Sequence, residues 1–205
     1  MDPNTFPTKG NLILAKNSLK LSMQGYELMD KKRNILIREL MELIDKAAGI
    51  QKEIDGTFRE AYDALMRTNI QMGIHNVELI GETIPVETSI RIKRRSVMGT
   101  EIPQISYDSQ RSGPPAYSFG NTSISLDETC MKFERVKDLT IRLAEIETAA
   151  YRLAANIKKT QKRANALQNI TIPKYQSLVK EIENALEEKE REEFTRLKVI
   201  KRMNG

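Results

Sequence analysis

The chain has 205 residues, 40% hydrophobic, 30% charged and only 5% aromatic, with no Trp. Few aromatics under many charges point to long helices with a solvated face, rather than to a core anchored by large rings. Its 33 Lys and Arg against 28 Asp and Glu leave +5, too mixed in sign to demand nucleic acid. A lone cysteine, Cys130, excludes a disulfide scaffold, and with a lone histidine, His75, it gives no reason to expect a zinc site.

Proline placement divides the chain. Pro3 and Pro7 stand at the start, Pro85, Pro103, Pro114 and Pro115 crowd the middle, and only Pro173 follows. Proline inside a helix costs about 3 kcal/mol, so the two proline-poor arms are the helix candidates.

The first arm covers about 8–71, with Thr8 as a plausible N-cap after Pro7. A heptad starting at Leu12 puts Leu12, Leu19, Tyr26, Arg33, Leu40, Ala47, Ile54, Ala61 and Thr68 at a. It puts Ala15, Ser22, Met29, Leu36, Leu43, Ile50, Thr57 and Ala64 at d. Thirteen of these seventeen are apolar and the frame never stutters, which favours a left-handed coiled coil. Arg33 interrupts the seam beside Lys31 and Lys32, and Gly25, Gly49 and Gly56 weaken the helix.

The middle region is different in kind. Residues 89–94 alternate apolar and polar or charged, residues 101–107 alternate again, and Val97-Met98-Gly99-Thr100 lies between as a turn, which predicts a small hairpin. Residues 109–125 read as a Pro/Gly/Ser loop.

In the second arm, about 127–201, a frame runs through Val136, Leu139, Leu143, Ile146, Ala150, Leu153, Ile157, Thr160, Ala164 and Leu167. It fails at Thr171 and Lys174, on either side of Pro173. A new stripe follows at Tyr175, Leu178, Ile182 and Leu186, then Phe194, Leu197 and Ile200. Pro173 is expected to kink one long helix or reset its phase. Neither arm can bury its stripe alone, and each would be about 100 Å long at 1.5 Å per residue. The predicted fold is therefore mainly α: an antiparallel two-helix coiled coil of residues 1–71 and 126–205, with a β-hairpin and loop region, 72–125, at the far end.

The motifs for chemistry fail one by one. No phosphate loop, GxGxxG, HExxH, CxxC or GxSxG occurs. Cys130 and His75 have no third group to make a nucleophile and base. Asn121-Thr122-Ser123 and Asn169-Ile170-Thr171 match the glycosylation acceptor pattern, but MDPNTFPTKG at the start is no secretory signal. The longest uncharged run, 112–126, is too polar to span a membrane, so a reducing, soluble compartment is expected. Three basic clusters remain: Lys31-Lys32-Arg33; Lys158, Lys159, Lys162 and Arg163; and Arg91, Lys93, Arg94 and Arg95. None has aromatics within it, as a nucleic-acid surface would. The helical clusters read first as solvated faces, and the strand cluster equally as edge protection or as a dock for another protein.

Several segments carry a family resemblance. Pro7-Thr8-Lys9-Gly10-Asn11-Leu12 with Leu19-Lys20-Leu21 resembles the opening of the D subunit of the archaeal (A-type) and V-type rotary ATPases. Gly25-Tyr26-Glu27-Leu28-Met29-Asp30-Lys31-Lys32-Arg33 resembles its next signature, and Val97-Met98-Gly99 with Ile102-Pro103 its middle one. Arg163-Ala164-Asn165-Ala166-Leu167, the run from Ile170 to Pro173, and the run from Ile182 through Arg191-Glu192 with Arg196-Leu197-Lys198 resemble its C-terminal part. The match spans nearly the whole chain in the family's order. Asn34 departs from it, standing where the family usually carries an acidic residue.

The resemblance implies a central rotor shaft, non-catalytic and without cofactor or metal. It would couple ATP hydrolysis or synthesis to proton or sodium transport, and would sit in the cytoplasm, peripheral to the membrane and not inserted in it. The implied partners are the catalytic A and B hexamer, the small F subunit of the central stalk, and a membrane-side socket protein leading to the ion-carrying ring. On that reading Lys9, Lys16, Lys20, Arg196, Lys198 and Lys201 meet the catalytic head, since both termini share that end and are basic there. Arg91, Lys93, Arg94, Arg95 and Met98 face the socket. The rival reading is a prefoldin-like coiled-coil chaperone or interaction module, which also sets a small β region between two coiled-coil arms.

Overall fold

The computed structural model describes residues 6–107 and 117–203. Helix α1 spans Lys9–Met72, α2 Ile74–Thr83, and strands β1 and β2 Arg91–Val97 and Thr100–Ser106. A 3-10 turn at Phe119–Asn121 precedes α3, Ile124–Ala166. A π turn at Leu167–Thr171 then leads straight into α4, Ile172–Met203. The chain forms two compact units, residues 1–35 with 157–205, and residues 36–156. Residues 109–116 of the predicted loop lie outside the described residues, and helix α3 takes in the last two residues of that loop, 124 and 125.

Thr8 caps α1 as expected, its Oγ1 accepting from the Asn11 N–H at 3.2 Å. Every one of the seventeen predicted a and d positions is buried or half-buried, and every fully buried residue of α1 belongs to that set. The side-chain period of seven therefore decides which face of α1 turns inward. Gly49 and Gly56 are exposed, and a Cβ added at either meets nothing within 4 Å. Gly49→Ala and Gly56→Ala should each raise stability by about 0.5–1 kcal/mol, read as a higher thermal midpoint.

The first unit pairs α1 antiparallel with the end of α3 and with α4. Lys9 bonds Glu190 at 3.2 Å, Lys16 bonds Glu183 at 2.6 Å, and Arg33 donates to Gln161 at 2.8 Å. Its core is Ala15, Val179 and Ile182, with Leu12, Leu19, Leu178 and Leu186 packed around it. Arg33, the charged seam position, is carried by its neighbours. Its guanidinium pairs with Asp30 at 2.5 Å and with the Asn34 side-chain oxygen, while the Asn34 amide donates to Asp30 at 3.3 Å. The carboxylate beside Arg33 thus comes from Asp30, one turn before Asn34.

The second unit repeats the pairing along the rest of α1 and most of α3. Arg135 bonds Glu53 at 3.0 Å, and Ser125 donates to Gln71 at 2.6 Å. Between these levels the seam holds threonines as well as apolar residues. Thr68 and Thr129 place their hydroxyls 2.9 Å apart, and both reach the Ser125 carbonyl. Buried hydroxyls that share backbone carbonyls in this way escape the penalty of unmet polar groups. Gly73 separates α1 from α2 at φ 84°, a conformation closed to residues with a Cβ.

The phase reset near Pro173 has a definite cause. The α3 frame ends on Ala164 and Leu167; beyond the π turn the inward positions are Ile172, Tyr175, Val179, Ile182 and Leu186. That is the old frame displaced by one residue, with Val179 rather than Leu178 fully buried. The π turn absorbs the extra residue: the Ile172 N–H reaches five back to the Leu167 carbonyl. Pro173 follows within the first turn of α4, where widened geometry tolerates a residue with no N–H.

Candidate interaction surfaces

The predicted contact residues gather on two surfaces. On the first, Lys9, Lys16 and Lys20 line the exposed start of α1, and Arg196, Lys198 and Lys201 the exposed end of α4. Because Lys9 already meets Glu190, α4 runs on past the first residue of α1. Phe194, Leu197 and Ile200, which continue the seam stripe in sequence, are 53–70% exposed, and none of the described helices stands opposite them. Lys9 and Lys16 are engaged in exposed ion pairs with α4, and Arg196 pairs with Glu192 at 3.8 Å. Exposed pairs of this kind are worth only about 0–1 kcal/mol and exchange readily for others.

The second surface is the hairpin. Arg91, Lys93, Arg94, Arg95 and Met98 are all exposed. The other strand and the residue just after it carry the anchors. Tyr107 donates to Asp138 at 2.5 Å, Arg152 donates to the Glu101 carbonyl at 3.2 Å, and the Asn156 amide bonds the Thr100 hydroxyl. Thr100 and Pro103 are buried. From Thr100 to Tyr107 a strand rises about 24 Å, and from Asp138 to Asn156 a helix rises about 27 Å, so β2 and α3 lie side by side. The turn at Met98 and Gly99 therefore comes level with Asn156, and the hairpin lies along α3. Burial and the Asp138 carboxylate push the Tyr107 hydroxyl up to about 12.

None of these anchors has a periodic signature. Tyr107 is legible in the sequence only as the close of an alternating strand, and the polar residues of α3 that meet the hairpin look like any solvated face. Helix α2 falls within the region expected to hold only a hairpin and loop, although Ile74, Val77 and Ile80 recur at helical spacing.

The chain between α2 and β1 is tied down by Glu87. It accepts from the Ser89 hydroxyl at 2.6 Å and backbone N–H at 3.1 Å, and from Lys137 at 3.1 Å. The Ser89 bonds and then the Lys137 ammonium pull the Glu87 carboxyl from 4.5 down to about 2. A carboxyl depressed in the folded state lends stability above its unfolded value and loses it as pH falls toward the folded one. Between pH 4.5 and about 2 this tether should release, and Glu87→Gln should flatten that part of a thermal-midpoint-against-pH curve.

An apolar groove of about 610 Å³ lies between α2 and α3, lined by Val77, Ile80, Leu126, Cys130 and Phe133 among others. Burial raises the Cys130 thiol pKa, and Cys130 lines the groove while His75 does not. Among the described residues no group of three His, Cys, Asp or Glu is placed to hold a metal, and no helix is long and apolar enough to cross a membrane.

A pair of long antiparallel helices with a flanking two-stranded hairpin defines a mainly helical protein of the coiled-coil class. The ATP synthase D subunit family matches residues 11–202. The V-type ATP synthase D subunit of Thermotoga neapolitana is 43% identical over 195 residues, covering 95% of this chain and 96% of that protein. The A-type ATP synthase D subunit of Thermococcus sibiricus is 38% identical, covering 95% and 92%. That of Methanobrevibacter smithii is 36% identical, covering 95% and 85%. The chain belongs to the ATP synthase D subunit family.

Proposed function

We propose that this chain is the central rotor shaft of a V-type or A-type rotary ATPase. It makes no covalent change itself, and carries rotation between a catalytic A and B hexamer and an ion-carrying membrane ring, for protons or sodium. Family membership supports the reading, and one structural observation carries it: the α1 seam turns inward at all seventeen heptad positions. Two helices that brace each other at every heptad resist twisting better than a single helix does. The outer faces suit a turning part. They bear mixed charge and few aromatics, and so lack the anchors that fix a permanent interface.

On this reading Lys9, Lys16, Lys20, Arg196, Lys198 and Lys201 meet the catalytic head, Arg91, Lys93, Arg94, Arg95 and Met98 dock toward the socket protein, and the small F subunit binds the flank. The test is a rotation assay on the reconstituted complex, with the hexamer immobilised and a visible probe on this chain. Supplied with ATP, the probe should turn in one direction, pausing in thirds of a turn for the three catalytic interfaces. A stationary probe on a hexamer that hydrolyses ATP would refute the reading. Reversing the charge of the six head-end cations should impair coupling, and unchanged torque and turnover would remove them from that role.

A further inference from the structure

Met98 and Gly99 have φ of 49° and 75°, and Val97 pairs with Thr100, so the hairpin closes through a two-residue type I′ turn. The pair flanking such a turn exchanges backbone bonds, and bonded and non-bonded pairs alternate from there. Val97, Arg95, Lys93 and Arg91 thus aim their peptide groups at β2, while Ser96, Arg94 and Ile92 aim theirs outward. Pro103 stands opposite Arg94 in a non-bonded pair, where its missing N–H costs the ladder nothing. The β2 side is covered by α3 through Arg152 and Asn156, whereas β1 is exposed from Arg91 to Ser96.

Charge follows the same alternation. Arg91, Lys93 and Arg95 project from one face at every second residue, and the hairpin's single carboxylate, Glu101, pairs with Arg94 on the other face. An uncovered strand edge is a template for pairing, and a row of like charges across it repels any strand that does not bring opposite charge. We infer that the outer edge of β1 receives an extended segment of a partner protein as a third strand, one with carboxylates at every second residue facing Arg91, Lys93 and Arg95. This rests on reading the hairpin as an element that docks to another protein of the complex, and adds the mode of docking and the chemistry of the occupant.

The full-length chain is titrated at low salt with three labelled seven-residue peptides, matched to the seven residues of β1, and binding is read by anisotropy. The first alternates Glu and Thr. The second has the same composition with its glutamates contiguous. The third is the first peptide N-methylated at its threonines, whose N–H groups would face β1. The alternating peptide should bind roughly tenfold more tightly than either control, since strand addition needs both backbone bonds and side-chain register. Lys93→Glu with Arg95→Glu should abolish that preference. Equal binding of all three peptides would overturn strand addition in favour of undirected charge attraction. Binding of none would overturn it in favour of cations that only protect the edge. The N-methyl arm leaves the protein unaltered, so it does not depend on a variant folding. A hairpin-deleted complex that couples normally would defeat the docking role separately, whatever the peptides do.

Discussion

Leu153→Ala is expected to cost about 3 kcal/mol, and Leu36→Ala a similar amount, within the range for emptying a fully buried leucine site. Both side chains are 0% exposed, and both occupy seam positions. Truncation removes the transfer energy of the lost methyl groups and leaves a void that two rigid helices close poorly. Against a typical stability of about 5–15 kcal/mol that is a large fraction. Leu21→Ala and Leu28→Ala, on the same helix as Leu36 but 70% and 64% exposed, should change stability by less than about 0.5 kcal/mol. Urea unfolding followed by circular dichroism separates the two classes. Equal effects at seam and surface leucines would mean that α1 is not held by the face its heptads define.

The second large effect is a coupling. Proline inside a regular helix costs about 3 kcal/mol, through a lost bond and a clash with the carbonyl four residues back. Pro173 follows the π turn and escapes most of that cost, so Pro173→Ala alone should change stability by less than about 1 kcal/mol. Deleting Asn169 removes the extra residue and returns the segment to α geometry with both seams in phase, but leaves Pro173 inside a regular helix. In that background Pro173→Ala should gain about 3 kcal/mol, and the difference between the two steps is the interaction energy of a double-mutant cycle. An Ala inserted within α3 between Leu143 and Leu153 is a lesion of the same size with no π turn to absorb it. It rotates the neighbouring seam positions by about 100° and should destabilise strongly. Additive behaviour of the deletion and Pro173→Ala would mean that the π turn does not exist to accommodate the proline.

Much of the fold is legible in the sequence because its main signal is local and periodic. The α1 frame read from Leu12 identifies the inward face through both units, and even Arg33, the worst residue on it, stays on the seam, held by Asp30, Asn34 and Gln161. The hairpin is legible from alternation, with Met98 and Gly99 at its turn. The candidate contact residues are legible as exposed cations. What holds the hairpin in position is not, because Tyr107, Arg152 and Asn156 act across gaps in sequence that leave no pattern.

The order of residues was enough to settle the helical class, the seam and the hairpin, since each is a repeat that neighbouring residues impose on one another through backbone geometry. Tertiary packing alone decided the rest. It absorbed one extra residue before Pro173 in a π turn, laid β2 along α3, and set Lys9 against Glu190, so that Phe194, Leu197 and Ile200 stay exposed among the described residues. A heptad states which face wants covering; only the partner's position along the axis determines whether it is covered.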